Sequence, residues 1–148
     1  MSIFNMITAG SGGGGGEGWK TSTFTTTAGT ATLDSISFSV DAEPSEFWVF
    51  IFGPSMGNYY VGSSSTSRYD ILNIHGGYDS LGSRTASCTA MRHGSGGPRL
   101  YYGGSCAGWS YTSSTNTVTI SAKSTSYVFP SGRSGVSETF TYRMYYKV

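Results

Sequence analysis

The chain has 148 residues, the length of one domain. Only 11% of them are charged and the formal net charge is +1, with no basic run and no acidic tail, which excludes the electrostatic footprint of a nucleic-acid binder. Aromatic residues reach 15%, enough to build a core and to exclude a disordered chain in spite of a mean hydropathy of −0.17.

The N-terminal peptide Ser2-Ile3-Phe4-Asn5-Met6-Ile7-Thr8-Ala9 is short and apolar, and it runs into Gly10-Ser11 and then the glycines Gly12 to Gly16. A glycine run has no side chains to pack and maximal backbone freedom, so it reads as a tether. The peptide lacks the basic start and the apolar length of a secretion signal. No segment reaches the ~20 apolar residues of a membrane helix, so membrane insertion is not expected. The chain is therefore read as made in a cytosol and not exported through a cleaved signal. Two readings of the peptide stand side by side: an extra strand on its own domain, or an anchor for another protein. As an anchor, Ile3, Phe4, Met6 and Ile7 would each contribute about 1.5–3 kcal/mol on docking.

From Trp19 onward β-branched and aromatic residues dominate and turn residues recur every eight to twelve positions or so, the rhythm of an all-β sandwich or barrel. Residues 21–27 form the first expected strand, with Ala28-Gly29 as its turn. Ile36, Phe38 and Val40 alternate with serines in a half-buried strand. Ala31 and Leu33 sit on the opposite parity, which calls for a bulge or bend near Asp34-Ser35. Residues 46–52 are apolar on both faces and predict a central strand, or one whose outer face another subunit covers; Trp48 is assigned to the core. Residues 59–61 and 69–74 are the next strands, with 62–67 as a solvated loop between them and His75-Gly76-Gly77 ending the second.

Residues 85–91 form a strand with small inward residues, Ser95-Gly96-Gly97-Pro98 turns the chain, and 99–102 continue. The glycine-rich stretch 103–108 is not expected inside a regular strand. Trp109 and Tyr111 open a strand that ends at Ser113-Ser114. Val118, Ile120 and Ala122 alternate with polar residues, and 126–129 precede a turn at Pro130-Ser131-Gly132. In the last strand Phe140, Tyr142, Met144, Tyr146 and Val148 face one way and Arg143, Tyr145 and Lys147 the other. The sum is an all-β, antiparallel β-sandwich, jelly-roll-like, with an extended N-terminal arm: arm and tether over 1–18, sandwich over 19–148.

Chemistry is weakly signalled. Serines are so common that a chance Ser-His-Asp triple with His75 or His93 is expected, and no nucleophile elbow is present. The acids fall mostly at turns, where local hydrogen bonding favours them, so no catalytic carboxylate pair is assigned. No phosphate-binding loop exists, and Cys88, Cys106, His75 and His93 lack zinc spacing. His93 is read as a solvated turn residue in preference to a ligand. Cys88 and Cys106 are read as reduced thiols, with a disulfide as the alternative. Neither a catalytic residue, a metal nor a cofactor is expected.

Tyrosines beside serine and glycine have the composition of recognition surfaces and of interfaces between copies. Trp109 is the best candidate for an exposed ring, although packing is the favoured reading even there. Trp109, Tyr101, Tyr102 and Tyr111 are the expected ligand or subunit contacts.

The arm Met1-Ser2-Ile3-Phe4-Asn5-Met6-Ile7-Thr8 before poly-glycine, the Ser/Thr/Tyr body and the ending Tyr142-Arg143-Met144-Tyr145-Tyr146-Lys147-Val148 together resemble small structural proteins of tailed bacteriophages: tail-fibre, baseplate or capsid-decoration subunits. The likeness covers the whole chain in style and carries no diagnostic motif. It implies a virion location after synthesis in the host cytoplasm, a β-sandwich head, no enzyme activity, and homo-oligomers with a trimer favoured. The expected partners are other virion proteins through the arm and a host glycan at the head. The alternative is a carbohydrate-binding or adhesin module not tied to a virion.

Overall fold

A computed structural model describes residues 18–26, 32–52, 69–94, 97–103, 106–130 and 139–148. The expected arm (2–8), the strand at 59–61, the loop at 62–67 and the turn at Ala28-Gly29 lie outside the described residues, as do the side chains of Tyr101 and His93. The described chain contains strands and no helix. In order they are β1 (Trp19–Thr25), β2 (Thr32–Leu33), β3 (Ser35–Ser39), β4 (Glu46–Phe52), β5 (Tyr69–Tyr78), β6 (Arg84–Gly94), β7 (Gly97–Gly103), β8 (Ala107–Thr112), β9 (Thr117–Ala122), β10 (Tyr127–Pro130) and β11 (Thr141–Lys147).

These strands make an eight-stranded sheet in the order β1-β11-β4-β5-β10-β2, with β6 and β7 extending from β5, and a three-stranded sheet β3-β9-β8 packed against it. All pairings are antiparallel except a short parallel one between β10 and β5. The expected β-sandwich is therefore present. Its core lies between the sheets. Ile36, Phe38, Val118, Ile120 and Trp109 from the small sheet meet Phe47, Val49, Ile51, Ile74, Tyr142 and Met144 from the large one.

Local patterns explain these elements. In β3 the serines point out while Ile36 and Phe38 are 1% exposed. The parity slip upstream is a bend at Asp34: Leu33 pairs with Phe129 in the large sheet, whereas Ile36 pairs with Ile120 in the small one. One residue of offset thus carries the chain from one sheet to the other. In β5 the register shifts between Ile71 and Asn73, a bulge that keeps both Ile71 and Ile74 buried at 1% exposure.

Three expectations are corrected. First, β5 does not end at His75-Gly76-Gly77 but runs through to Tyr78, and the turn follows at Asp79–Gly82. Asp79 Oδ1 accepts from the backbone N–H groups of Leu81 and Ser83, and Gly82 takes φ +78°. Gly76 is glycine because a Cβ there would lie 2.1 Å from the Phe47 ring. Second, Trp48 is not a core residue; alternation from buried Phe47 and Val49 puts it, with Phe50 and Phe52, on the outer face of the large sheet. Third, Cys88 and Cys106 form a disulfide, their Cα atoms 6.4 Å apart, within the bridging range. Cys88 lies in β6 and Cys106 just before β8, so the bridge ties one sheet to the other.

Candidate functional site

The outer face of the large sheet carries the most organised surface among the described residues. Strand pairing sets Tyr145 beside Trp48, Trp48 beside His75, and His75 beside Ser87. The next rung is Lys147, Glu46, Gly77 and Thr85. Rings fill the first rung: Trp48 stacks on His75 with centroids 4.0 Å apart and planes within 14°. Phe50 lies nearly parallel to Trp48 at 6.2 Å, and its edge meets Tyr145 at 6.1 Å. Trp19 and Tyr145 are buried here, forming a second, small core outside the sandwich proper. The Trp19 indole N–H is buried without an acceptor among the described residues.

Beside this wall lies a groove of about 420 Å³, lined by Ser45, Glu46, His75, Gly76, Gly77, Tyr78, Thr85, Ala86 and Ser87. Gly77 leaves its floor bare. A Cβ there would approach the Ser45 carbonyl oxygen to 3.0 Å. The Glu46 carboxylate reaches His75 Nε2 at 2.8 Å. At the groove's end Glu43 accepts from Tyr78 and Arg84, with Arg84 Nε at 3.0 Å. The Tyr78 bond, and then Arg84, hold the Glu43 carboxyl below the usual carboxylate range. Glu43 is thus a poor proton donor at neutral pH. Asp70 is the carboxyl that burial pushes up, to about 7. It sits five residues along β5 from His75, the nearest groove residue on that strand, roughly 17 Å at ~3.4 Å per residue. The acid with a raised pKa and the groove are far apart. Among the described residues there is no cluster of three or more metal-ligating side chains.

The expected contact residues are not brought together. Trp109 is 8% exposed and lodged between the sheets: its Nε1 donates to the Thr85 carbonyl at 3.0 Å and its ring meets Phe47 edge-on at 5.2 Å. Packing, the favoured reading, is what its place in the fold gives. Tyr111 is half-buried and donates to Asn116 Oδ1 at 2.7 Å, steadying a turn in which Asn116 takes φ +48°. Tyr102 is 77% exposed on β7, which pairs with β6 and not with β8. Tyr101 occupies the neighbouring position, opposite Ala90.

The groove's own residues were missed. Two signals point to them. Glu46 and Trp48 stand two apart on one strand face, and so do His75 and Gly77, but the second pair emerges only once the glycines are read as strand. No family model, no curated protein and no solved structure matches this chain.

Proposed function

We propose that the chain is a non-enzymatic structural subunit of a tailed-phage virion, of tail, fibre or capsid-decoration type. It attaches through Ile3, Phe4, Met6 and Ile7 and holds its sandwich outward as a host-contacting head. The observation that supports this most is the position of β1. Strand β1 opens at Trp19, directly after the glycine tether and Glu17-Gly18, and pairs with β11 over all seven of its residues, from Trp19↔Lys147 to Thr25↔Thr141. An apolar peptide set ahead of a glycine tether, next to a strand whose pairing with β11 is complete, supports its role as an anchor for a partner. Many copies on one particle would multiply weak head contacts by avidity.

The outer face supports contact between copies as well. Phe52 is 45% exposed, and Trp48 and Phe50 are half-buried beside it. Glu43, held ionised by Arg84 and Tyr78, supports a binding role over a catalytic one. The groove beside Trp48 favours the second reading, a carbohydrate-binding or adhesin module not tied to a virion. The arm separates the two. Deleting residues 2–16 is expected to abolish incorporation into particles while the head stays folded; particles that incorporate the truncated chain normally would rule out attachment by the arm.

A further inference from the structure

We infer that the groove over Gly77 is a saccharide site taking the terminal pyranose of an uncharged glycan. This deepens, and rests on, the reading of the head as a non-catalytic binding module.

The chemistry of the groove selects the ligand class. Its floor is bare backbone at Gly77, with Glu46 across one strand boundary and Thr85 across the other. A flat ring can therefore approach the sheet more closely than any side chain at 77 would allow. One wall is the imidazole of His75, braced from behind by Trp48 at 4.0 Å, so its plane is fixed before a ligand arrives. Such a wall suits the C–H face of a sugar ring, and bracing reduces the ordering cost of binding. Facing it are the hydroxyls of Thr85 and Ser87, which have no hydrogen-bond partner among the described residues. The Glu46 carboxylate adds an acceptor whose second oxygen is not engaged by His75. Donors and acceptors thus ring an apolar wall, the pattern that a polyol requires.

Charge excludes the main competitors. Neither Lys nor Arg lines the groove, and Glu46 does. A phosphate, sulfate or sialic-acid carboxylate would meet the Glu46 carboxylate, while the guanidinium at the groove's end, Arg84, is already answered by Glu43. The volume of about 420 Å³ lies within the range of small-ligand clefts and is open at the surface, as a chain end requires.

The test is titration of the full-length protein with the methyl glycosides of glucose, galactose, mannose and N-acetylglucosamine. Amide NMR shifts of Glu46, His75, Gly77, Thr85 and Ser87 are the readout. At least one glycoside is expected to move these amides saturably below about 50 mM, a reach that covers millimolar affinity. Ser87→Val, which fills the wall with a good strand former, and Glu46→Gln, which keeps the shape, should each weaken binding roughly tenfold while the rest of the spectrum stays dispersed. Two results overturn the site: no glycoside shifts these amides, or both variants bind as the parent does. Either leaves arm-dependent incorporation untouched. Release of free sugar from aryl glycosides of the bound type would instead keep the site and sink the non-catalytic reading.

Discussion

Asp70 is 6% exposed, and burial lifts its pKa from 3.8 to about 7. The sign of the consequence follows from proton counts. Below pH 3.8 the carboxyl is protonated in both folded and unfolded chains and contributes nothing. Between 3.8 and about 7 the unfolded chain releases a proton that the folded chain keeps, so stability falls as pH rises, and above 7 the loss is complete. The upper bound is on the order of 4 kcal/mol. Urea midpoints measured at pH 4.5 and 7.5 should therefore drop with pH, and Asp70→Asn should flatten that slope. A slope identical in the variant would locate the titrating group elsewhere. A second residue-scale constraint is steric. Gly76 faces Phe47, which is fully buried, and a methyl at 76 would overlap its ring. Gly76→Ala should cost about 1–3 kcal/mol, and Phe47→Leu in the same chain should return part of it. Strictly additive costs in the double-mutant cycle would show that the ring is not the obstacle.

Single strands show what local pattern can and cannot carry. β3, β9 and β11 were readable because each buries one face, and the alternation of Ile36 with Phe38, Val118 with Ile120, and Tyr142 with Met144 is the direct trace of that burial. β4 was readable as a strand but not by side. With Phe47, Trp48, Val49 and Phe50 in succession, hydropathy does not distinguish a core face from an aromatic outer face. Tyr145 repeats the difficulty: parity sets it outward correctly, yet it is 3% exposed because neighbouring rings cover it. Gly76 and Gly77 misled for a different reason. Glycine marks both a turn and a close approach, and only the partner strand reveals which applies. The groove vanished from the sequence with that one misreading. The sequence left the disulfide as the lesser of two readings because Cys88 in β6 and Cys106 just before β8 belong to different sheets, and their approach is a tertiary fact. Their bridge spans a sequence separation of 18, so chain entropy assigns it about 3 kcal/mol. Under denaturing, non-reducing conditions the protein should show no free thiol. Reduction, or Cys88→Ala with Cys106→Ala, should lower the unfolding midpoint accordingly. Reactive thiols in the untreated protein would return the pair to the reduced reading.

For the molecule as a whole, the decisive question is which residues belong to the cooperative unit. The Cys88–Cys106 bridge and the Trp109 N–H bond to the Thr85 carbonyl tie one sheet to the other, and the Thr26 Oγ1 bond to the Phe140 N–H at 2.9 Å fastens the end of the β1–β11 pairing. Such ties between distant segments favour unfolding in one step. The first strand of that unit among the described residues is β1, registered on β11 from Trp19 onward. Removal of residues 2–16 takes away Ile3, Phe4, Met6 and Ile7, a large apolar surface for a chain of this size. If that surface is packed within the domain, the truncated protein exposes less on unfolding, and its urea m-value falls together with its midpoint, since m scales with the area exposed. If the peptide belongs to a partner, both quantities stay at their full-length values in the isolated protein, and a stability gain appears only when the intact arm meets the surface it docks on. The second pattern is the expected one, and urea unfolding of the two proteins side by side, followed by tyrosine and tryptophan fluorescence, decides between them.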